Sequence, residues 1–161
     1  MLTTRLLLAL FAGCLSLTEA ASVVERSAPR YGIGAQWLVY SQRYSFWGIT
    51  GRVEMKASSA FVMLFESGLS TEPEGDDDIV FFDGAVLAAL GPVGEKTYVG
   101  LGVGLARWQD KKGWDTGTWY QIYKKLTVAK DFSLMGSWLF FQASLLYDSW
   151  FNFNVVVGIW F

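Results

Sequence analysis

Alternation with a period of two is the feature that most limits what this chain can become. Over Gly48–Lys56, Ile49, Gly51, Val53 and Met55 point one way, and Thr50, Arg52, Glu54 and Lys56 point the other. Over Phe151–Phe161 the odd positions read Phe151, Phe153, Val155, Val157, Ile159 and Phe161, while Asn152 and Asn154 lie opposite. Both stretches are strands with one strongly apolar face. A tilted strand of about 9–11 residues crosses a bilayer. The last strand runs out on Phe161 with no polar tail. The expectation is that it pairs with the first strand and closes a barrel, which leaves no edge in hydrocarbon.

Six further apolar segments supply the other walls: Tyr31–Tyr40, Ala60–Gly68, Ile79–Leu90, Thr97–Trp108, Thr118–Val128 and Phe132–Gln142. In Thr97–Trp108 the alternation sets Val99, Leu101, Val103 and Leu105 against Gly100, Gly102, Gly104 and Ala106. The connections at 57–59, 91–96 and 129–131 are tight, and those at 41–47, 69–78, 109–117 and 143–149 are mostly longer. Short turns on one side and longer loops on the other predict an all-β, eight-stranded, antiparallel up-and-down transmembrane barrel over residues 31–161. Aromatics near the segment ends predict two girdles: Tyr40, Trp47, Trp108, Trp119 and Trp150 on one side, Tyr31, Tyr98, Phe132 and Trp160 on the other. A soluble barrel would reverse the facing and leave scarcely any polar outer surface on the third, seventh and eighth segments. A spanning helix is excluded at Ile79–Leu90, which Asp83 interrupts and Gly91-Pro92 ends.

The N-terminus reads as a targeting segment. Arg5 precedes a short apolar run from Leu6 to Gly13, and Thr18-Glu19-Ala20 offers a cleavage site, so residues 1–20 read as a signal peptide. Residues 21–30 read as a periplasmic leader. A second reading stands beside it, because Phe11-Ala12-Gly13-Cys14 resembles a lipobox that would make Cys14 a lipidated N-terminus. Cys14 is the sole cysteine, so no internal disulfide forms. The chain has no histidine, which removes His-based acid–base chemistry and His metal ligands. A net charge of −2 with 17% charged residues argues against a nucleic-acid partner.

The inner parity collects Arg52, Glu54, Glu66, Asp83 and Lys125. A turn at 57–59 places Arg52 near Leu64, with Asp83 at about the same level and Glu66 one pleat away. Arg52, Glu66 and Asp83 should therefore approach one another. They form either a carboxylate pair for acid–base work beside an anion-binding arginine, or an ion network that fills a narrow lumen. Lys124 falls on the outer parity, and either a bulge re-aims it or its side chain snorkels to the interface. The run Glu72, Glu74, Asp76, Asp77 and Asp78 is dense enough to bind a surface cation, but its spacing lacks the pattern of a dedicated calcium loop. Lys111-Lys112-Gly113-Trp114 is a cationic tip that could meet lipopolysaccharide phosphates. The Gly100-x-Gly102-x-Gly104 spacing is wrong for a phosphate loop and reads as close packing inside a barrel. No metal site or cofactor is expected.

Taken together, the leader, the eight amphipathic segments, the short turns and Phe161 resemble the small eight-stranded outer-membrane β-barrel proteins of the OmpA-domain and OmpX/Ail type. Phe161, with Ile159 and Val157 on the same face, resembles the C-terminal signal read by the barrel-assembly machinery. The resemblance implies residence in the outer membrane of a Gram-negative bacterium, contact with its lipids and lipopolysaccharide, and a monomer. It implies a non-enzymatic envelope role, structural or in adhesion or resistance. Barrel enzymes that modify lipid A have similar size but rely on a His beside a Ser, which this chain lacks. A lipid-modifying enzyme using Glu66 or Asp83, and a narrow pore, are the alternatives.

Overall fold

The computed structural model describes residues 28–40, 44–73, 77–90, 97–109 and 117–161. The expected signal peptide, its Cys14 alternative and the Lys111–Trp114 tip lie outside them. Eight strands are present: β1 (Arg30–Tyr40), β2 (Tyr44–Lys56), β3 (Phe61–Thr71), β4 (Asp78–Leu90), β5 (Thr97–Gln109), β6 (Thr118–Leu134), β7 (Ser137–Tyr147) and β8 (Phe151–Trp160). Each pairs antiparallel with its neighbour in sequence, and β1 pairs with β8 to close the barrel. The expected fold is the one observed. Among the described residues no helix is long and apolar enough to cross a membrane.

Facing follows the alternation. Ile33, Ile49, Leu69, Phe82, Leu101, Val103, Ile122, Leu126, Phe153 and Val157 are exposed on the outer wall. Gln36, Thr50, Arg52, Glu66, Asp83, Lys125, Gln142 and Asn154 are buried in the lumen. The exterior is apolar and the interior polar, the reverse of a soluble barrel. Two apolar groups also fill the lumen. One contains Leu64, Leu87, Tyr98, Phe140, Val156 and Trp160 towards the end where β1 starts. The other contains Leu38, Phe46, Ile79, Phe81, Trp108 and Leu146 towards the opposite end.

Four expectations are corrected. First, Arg30 is the first residue of β1 rather than the last residue of a leader. Second, β6 does not turn at 129–131. It continues to Leu134, and the turn is Met135-Gly136, with φ of 51° and 81°. Lys130-Asp131 has the composition of a turn, but Asp131 stays on the inner parity and is buried, so the strand gains by continuing. Two consecutive residues with positive φ match the twist of the flanking strands, as in a type I′ hairpin. The shift also re-aims the seventh strand: Phe140 is fully buried in the lumen, while Leu134 is exposed before the turn. Third, the connections 41–43 and 148–150 are as short as the turns at the other end, because β2 starts at Tyr44 and β7 runs to Tyr147. Asp148 closes the latter turn by accepting hydrogen bonds from the Ser149 and Trp150 backbone N–H groups. Fourth, four of the expected girdle aromatics turn inward. Tyr98, Trp108 and Trp160 are buried, and Tyr40 packs on the Trp108 ring at 4.4 Å. Nearness to a strand end does not set facing; parity does. Trp37 and Trp47 do face outward and stack at 5.8 Å.

Register removes one of the two readings of Lys124, the bulge, and leaves snorkelling. The β5–β6 and β6–β7 ladders run without a bulge. Lys124 pairs with Tyr147, the last residue of β7, so the lysine sits level with the rim of its neighbour. Its ammonium lies 5.9 Å from the Tyr147 ring centroid. The β5–β6 hairpin continues past it to Gln109 and Thr118. An outward lysine near a membrane interface costs about 0–1 kcal/mol, against about 2–4 kcal/mol at the midplane. Lys124→Leu should therefore leave stability in lipid vesicles within about 1 kcal/mol of the parent. Reversible urea unfolding measures this, and a gain near the midplane value would place the amine in hydrocarbon.

Candidate functional site

Register creates the central cluster. Four residues separate β2 from β3, and the turn is closed by Ala57 and Ser58 N–H groups donating to the Phe61 carbonyl at 2.9 and 3.0 Å. The Ser58 hydroxyl accepts from the Ala60 and Phe61 N–H groups. The hairpin is thus centred one residue later than expected, and Arg52 lies opposite Glu66 rather than Leu64. Glu66 in turn lies opposite Asp83, so the three charges share one row across β2, β3 and β4.

Two carboxylates directly opposite each other repel. Lys125, from β6, lies between them: its Nζ donates to Asp83 Oδ1 at 2.8 Å and to Glu66 Oε2. The intervening strand is β5, where Gly104 pairs with Asp83 and Gly102 with Lys125. A Cβ on Gly104 would lie 2.6 Å from the Asp83 Cβ and meet the Tyr123 ring. The glycine run is therefore the gap through which β6 side chains reach β4. Tyr123 uses the same gap, and its hydroxyl donates to Asp83 Oδ2 at 2.8 Å.

Amide and aromatic groups complete the layer. Gln142 Nε2 donates to Glu66 Oε2 at 2.9 Å, and Gln142 Oε1 accepts from Arg52 Nη2 at 2.9 Å. Arg52 Nε lies 3.8 Å from Glu66 Oε1, an ion pair without a hydrogen bond. The Arg52 guanidinium also stacks over Phe140 at 4.1 Å and Trp160 at 4.8 Å. Thr127 and Ser144 hydroxyls share a 2.9 Å hydrogen bond beside Gln142. Arg52, Lys125, Glu66 and Asp83 balance in formal charge.

Glu54 is not a direct member. It pairs with Arg30 at 3.1 Å, and the same Arg30 nitrogen donates to Asp131 Oδ2 at 2.7 Å. Asp131 Oδ1 accepts from the Trp160 indole N–H at 3.1 Å. The inward charges therefore form two clusters, one at mid-height and one at the end where β1 begins. Beyond the mid-height layer, towards the other end, lies a cavity of about 30 Å³ lined in part by Gln36, Trp108, Gln121 and Asn154.

Alternation alone found Arg52, Glu54, Glu66, Asp83 and Lys125. It missed Arg30, Tyr123, Asp131 and Gln142. Tyr123 and Asp131 share the parity of Lys125, so counting inward positions along an uninterrupted β6 would have found both. In the acidic run, Glu72 N–H donates to the Asp77 carbonyl and Asp78 opens β4 opposite Thr71. Glu74 and Asp76 lie outside the described residues. Among the described residues no group of three or more Cys, Asp or Glu side chains could hold a metal ion.

No protein-family model matches the chain, and no curated protein matches it. Solved structures do. Neisserial surface protein A superposes with a TM-score of 0.64 at 9% identity, covering 82% of this chain and 94% of that one. The N-terminal β-barrel domain of Pseudomonas aeruginosa OprF superposes at 0.54 with 15% identity, covering 82% and 97%. These likenesses show the fold. The Yersinia pestis protein Ail aligns at 0.45 with 11% identity, covering 83% of this chain and 97% of that one.

Breaking a buried ion pair by removing one partner costs about 3–5 kcal/mol. Lys125→Met removes the cation shared by two carboxylates, and a loss in that range is expected by urea unfolding. Lys125→Met combined with Asp83→Asn should recover part of it, because one uncompensated charge goes with the partner.

Proposed function

We propose that this chain is an outer-membrane β-barrel of a Gram-negative bacterium with a non-enzymatic envelope role, acting through its surface rather than its lumen. The observation that carries the reading is the combination of an apolar outer wall with a lumen filled by internally paired charges. Glu66 and Asp83 are each 2% exposed, and both bind Lys125 and a further donor, Gln142 or Tyr123. A general acid or base must come within hydrogen-bond reach of a substrate. These two carboxylates face only their own network, with apolar side chains on either side. That weighs against the lipid-modifying alternative, and the same filling weighs against an open pore. The likeness to a surface protein of Neisseria supports a surface role at the level of fold. The partners that fit are outer-membrane lipids and lipopolysaccharide around the wall, met as a monomer, and the barrel-assembly machinery during insertion.

Topology supplies the test. The connections 57–60 and 135–136 lie at the end where β1 starts and β8 finishes, and 148–150 lies at the other end. Single cysteines at Ser59 and Ser149 probe the two ends on intact cells with a membrane-impermeant thiol reagent, with the parent chain as background. The expected result is labelling at Ser149 only, in protein that fractionates with the outer membrane and migrates differently when unheated in detergent. Labelling at Ser59 only would invert the orientation, and recovery as soluble periplasmic protein would refute the location.

A further inference from the structure

Seven of the eight ladders join strands adjacent in sequence; the eighth joins β1 to β8. A hairpin forms across a short loop, whereas β1 and β8 meet only after the whole barrel has curved round, so the entropy of closing that loop is the largest. The ladder gains least in return. It runs from Gly32 to Val39 on β1, with one further bond from the Phe161 N–H to the Tyr31 carbonyl at 2.9 Å, while β4 and β5 pair along their full lengths. One of its pairs has no side chains at all. Gly34 sits opposite Gly158, and cross-strand side-chain pairs are a main source of sheet stability. Phe140 lies against these glycines from the lumen, 3.2 Å from where a Gly34 Cβ would stand. On the outer wall the same place is a shallow open dip around Ala35, rimmed by Ile33, Ile49, Val157 and Ile159.

What the seam lacks in pairing is supplied by one carboxylate on another strand. Arg30 is the first residue of β1 and Trp160 the last of β8, and Asp131 of β6 binds both. Its Oδ2 accepts from Arg30 at 2.7 Å and its Oδ1 from the Trp160 indole at 3.1 Å. The Arg30 guanidinium also lies 4.3 Å over the Trp160 ring. Asp131 has a side-chain exposure of 2%, so the carboxylate accepting these charge-assisted bonds is itself buried, while Arg30 is partly exposed. The two strands of the seam are thereby tied, at one end of it, to a strand that belongs to neither.

We propose that the β1–β8 seam is the line along which this barrel closes last and opens first, and that Asp131 is the latch that holds it. Asp131 is a positioning residue here: it orders Arg30 and Trp160 rather than pairing in the seam ladder itself.

Residue-resolved amide hydrogen exchange of the full chain in detergent micelles tests this, because exchange reports local opening. Micelles keep the result independent of where the protein resides in a cell. In the parent, those amides of Gly32–Val39 and Phe153–Trp160 that donate across the β1–β8 ladder should exchange fastest among the ladder amides, while their neighbours that donate to β2 or β7 should not. Asp131→Ala should speed their exchange by about tenfold or more relative to the β4–β5 ladder, the effect of losing hydrogen bonds to a buried charge. Trp160→Phe keeps an aromatic ring beside Arg30 and removes the indole donor with part of the ring system. It should move the same amides in the same direction by a smaller factor, and it serves where Asp131→Ala does not fold. Asp83→Asn, in the mid-height layer, should not single out the seam. Uniform acceleration in every ladder, or no change at the seam in both variants, would overturn the latch.

Discussion

Eight strands closed on themselves leave an interior just wide enough for side chains to fill, and a charge placed there must find a partner. Lys125 meets that condition for two carboxylates at once. Glu66 and Asp83 stand opposite each other on neighbouring strands, an arrangement that destabilises a sheet unless a cation lies between them. The cation comes from β6, two strands away from Asp83, and it arrives because β5 presents only glycine at the crossing. The glycine run, the lysine and the two acids are one device. Replacing the network with well-packed apolar side chains could leave stability unchanged or raise it. A one-residue slip of β3, β4 or β6 would turn Glu66, Asp83 or Lys125 to the outer wall, so the network penalises a wrong register.

The outer wall and the seam follow from the same closure. A barrel with a polar filling turns its apolar residues outward, and here they form a continuous belt on alternate positions of every strand. Closure has a cost at the one ladder that joins distant parts of the chain. That ladder is the shortest of the eight, and the structure compensates at its end with Arg30, Trp160 and Asp131 instead of along its length. The clusters thus divide the work: one sets the register of the interior, the other ties the seam.

The strand count, the closure, the facing of most residues and the inner charges Arg52, Glu66, Asp83 and Lys125 were legible in the sequence, because a period of two fixes facing wherever one side is apolar. Register was not legible to within two residues. A turn of three or four residues is chemically similar, yet the choice moves Arg52 from Leu64 to Glu66. The end of β6 was lost for a related reason. Lys130-Asp131 looks like a turn, and nothing local reveals that Asp131 has Arg30 and Trp160 waiting for it at sequence separations of 101 and 29 residues. Met135-Gly136 was missed because methionine is a poor marker for a residue with positive φ. Aromatic facing failed where position along a strand was allowed to outweigh parity, as at Tyr98, Trp108 and Trp160.

A lumen filled by paired charges should not carry ions, and conductance across a planar lipid bilayer containing the purified full chain tests this most directly. The result predicted is a baseline current indistinguishable from that of the protein-free bilayer at moderate voltage. A steady ohmic conductance whose cation selectivity changes in Glu66→Gln would contradict it, because that carboxylate would then line an open path instead of closing one.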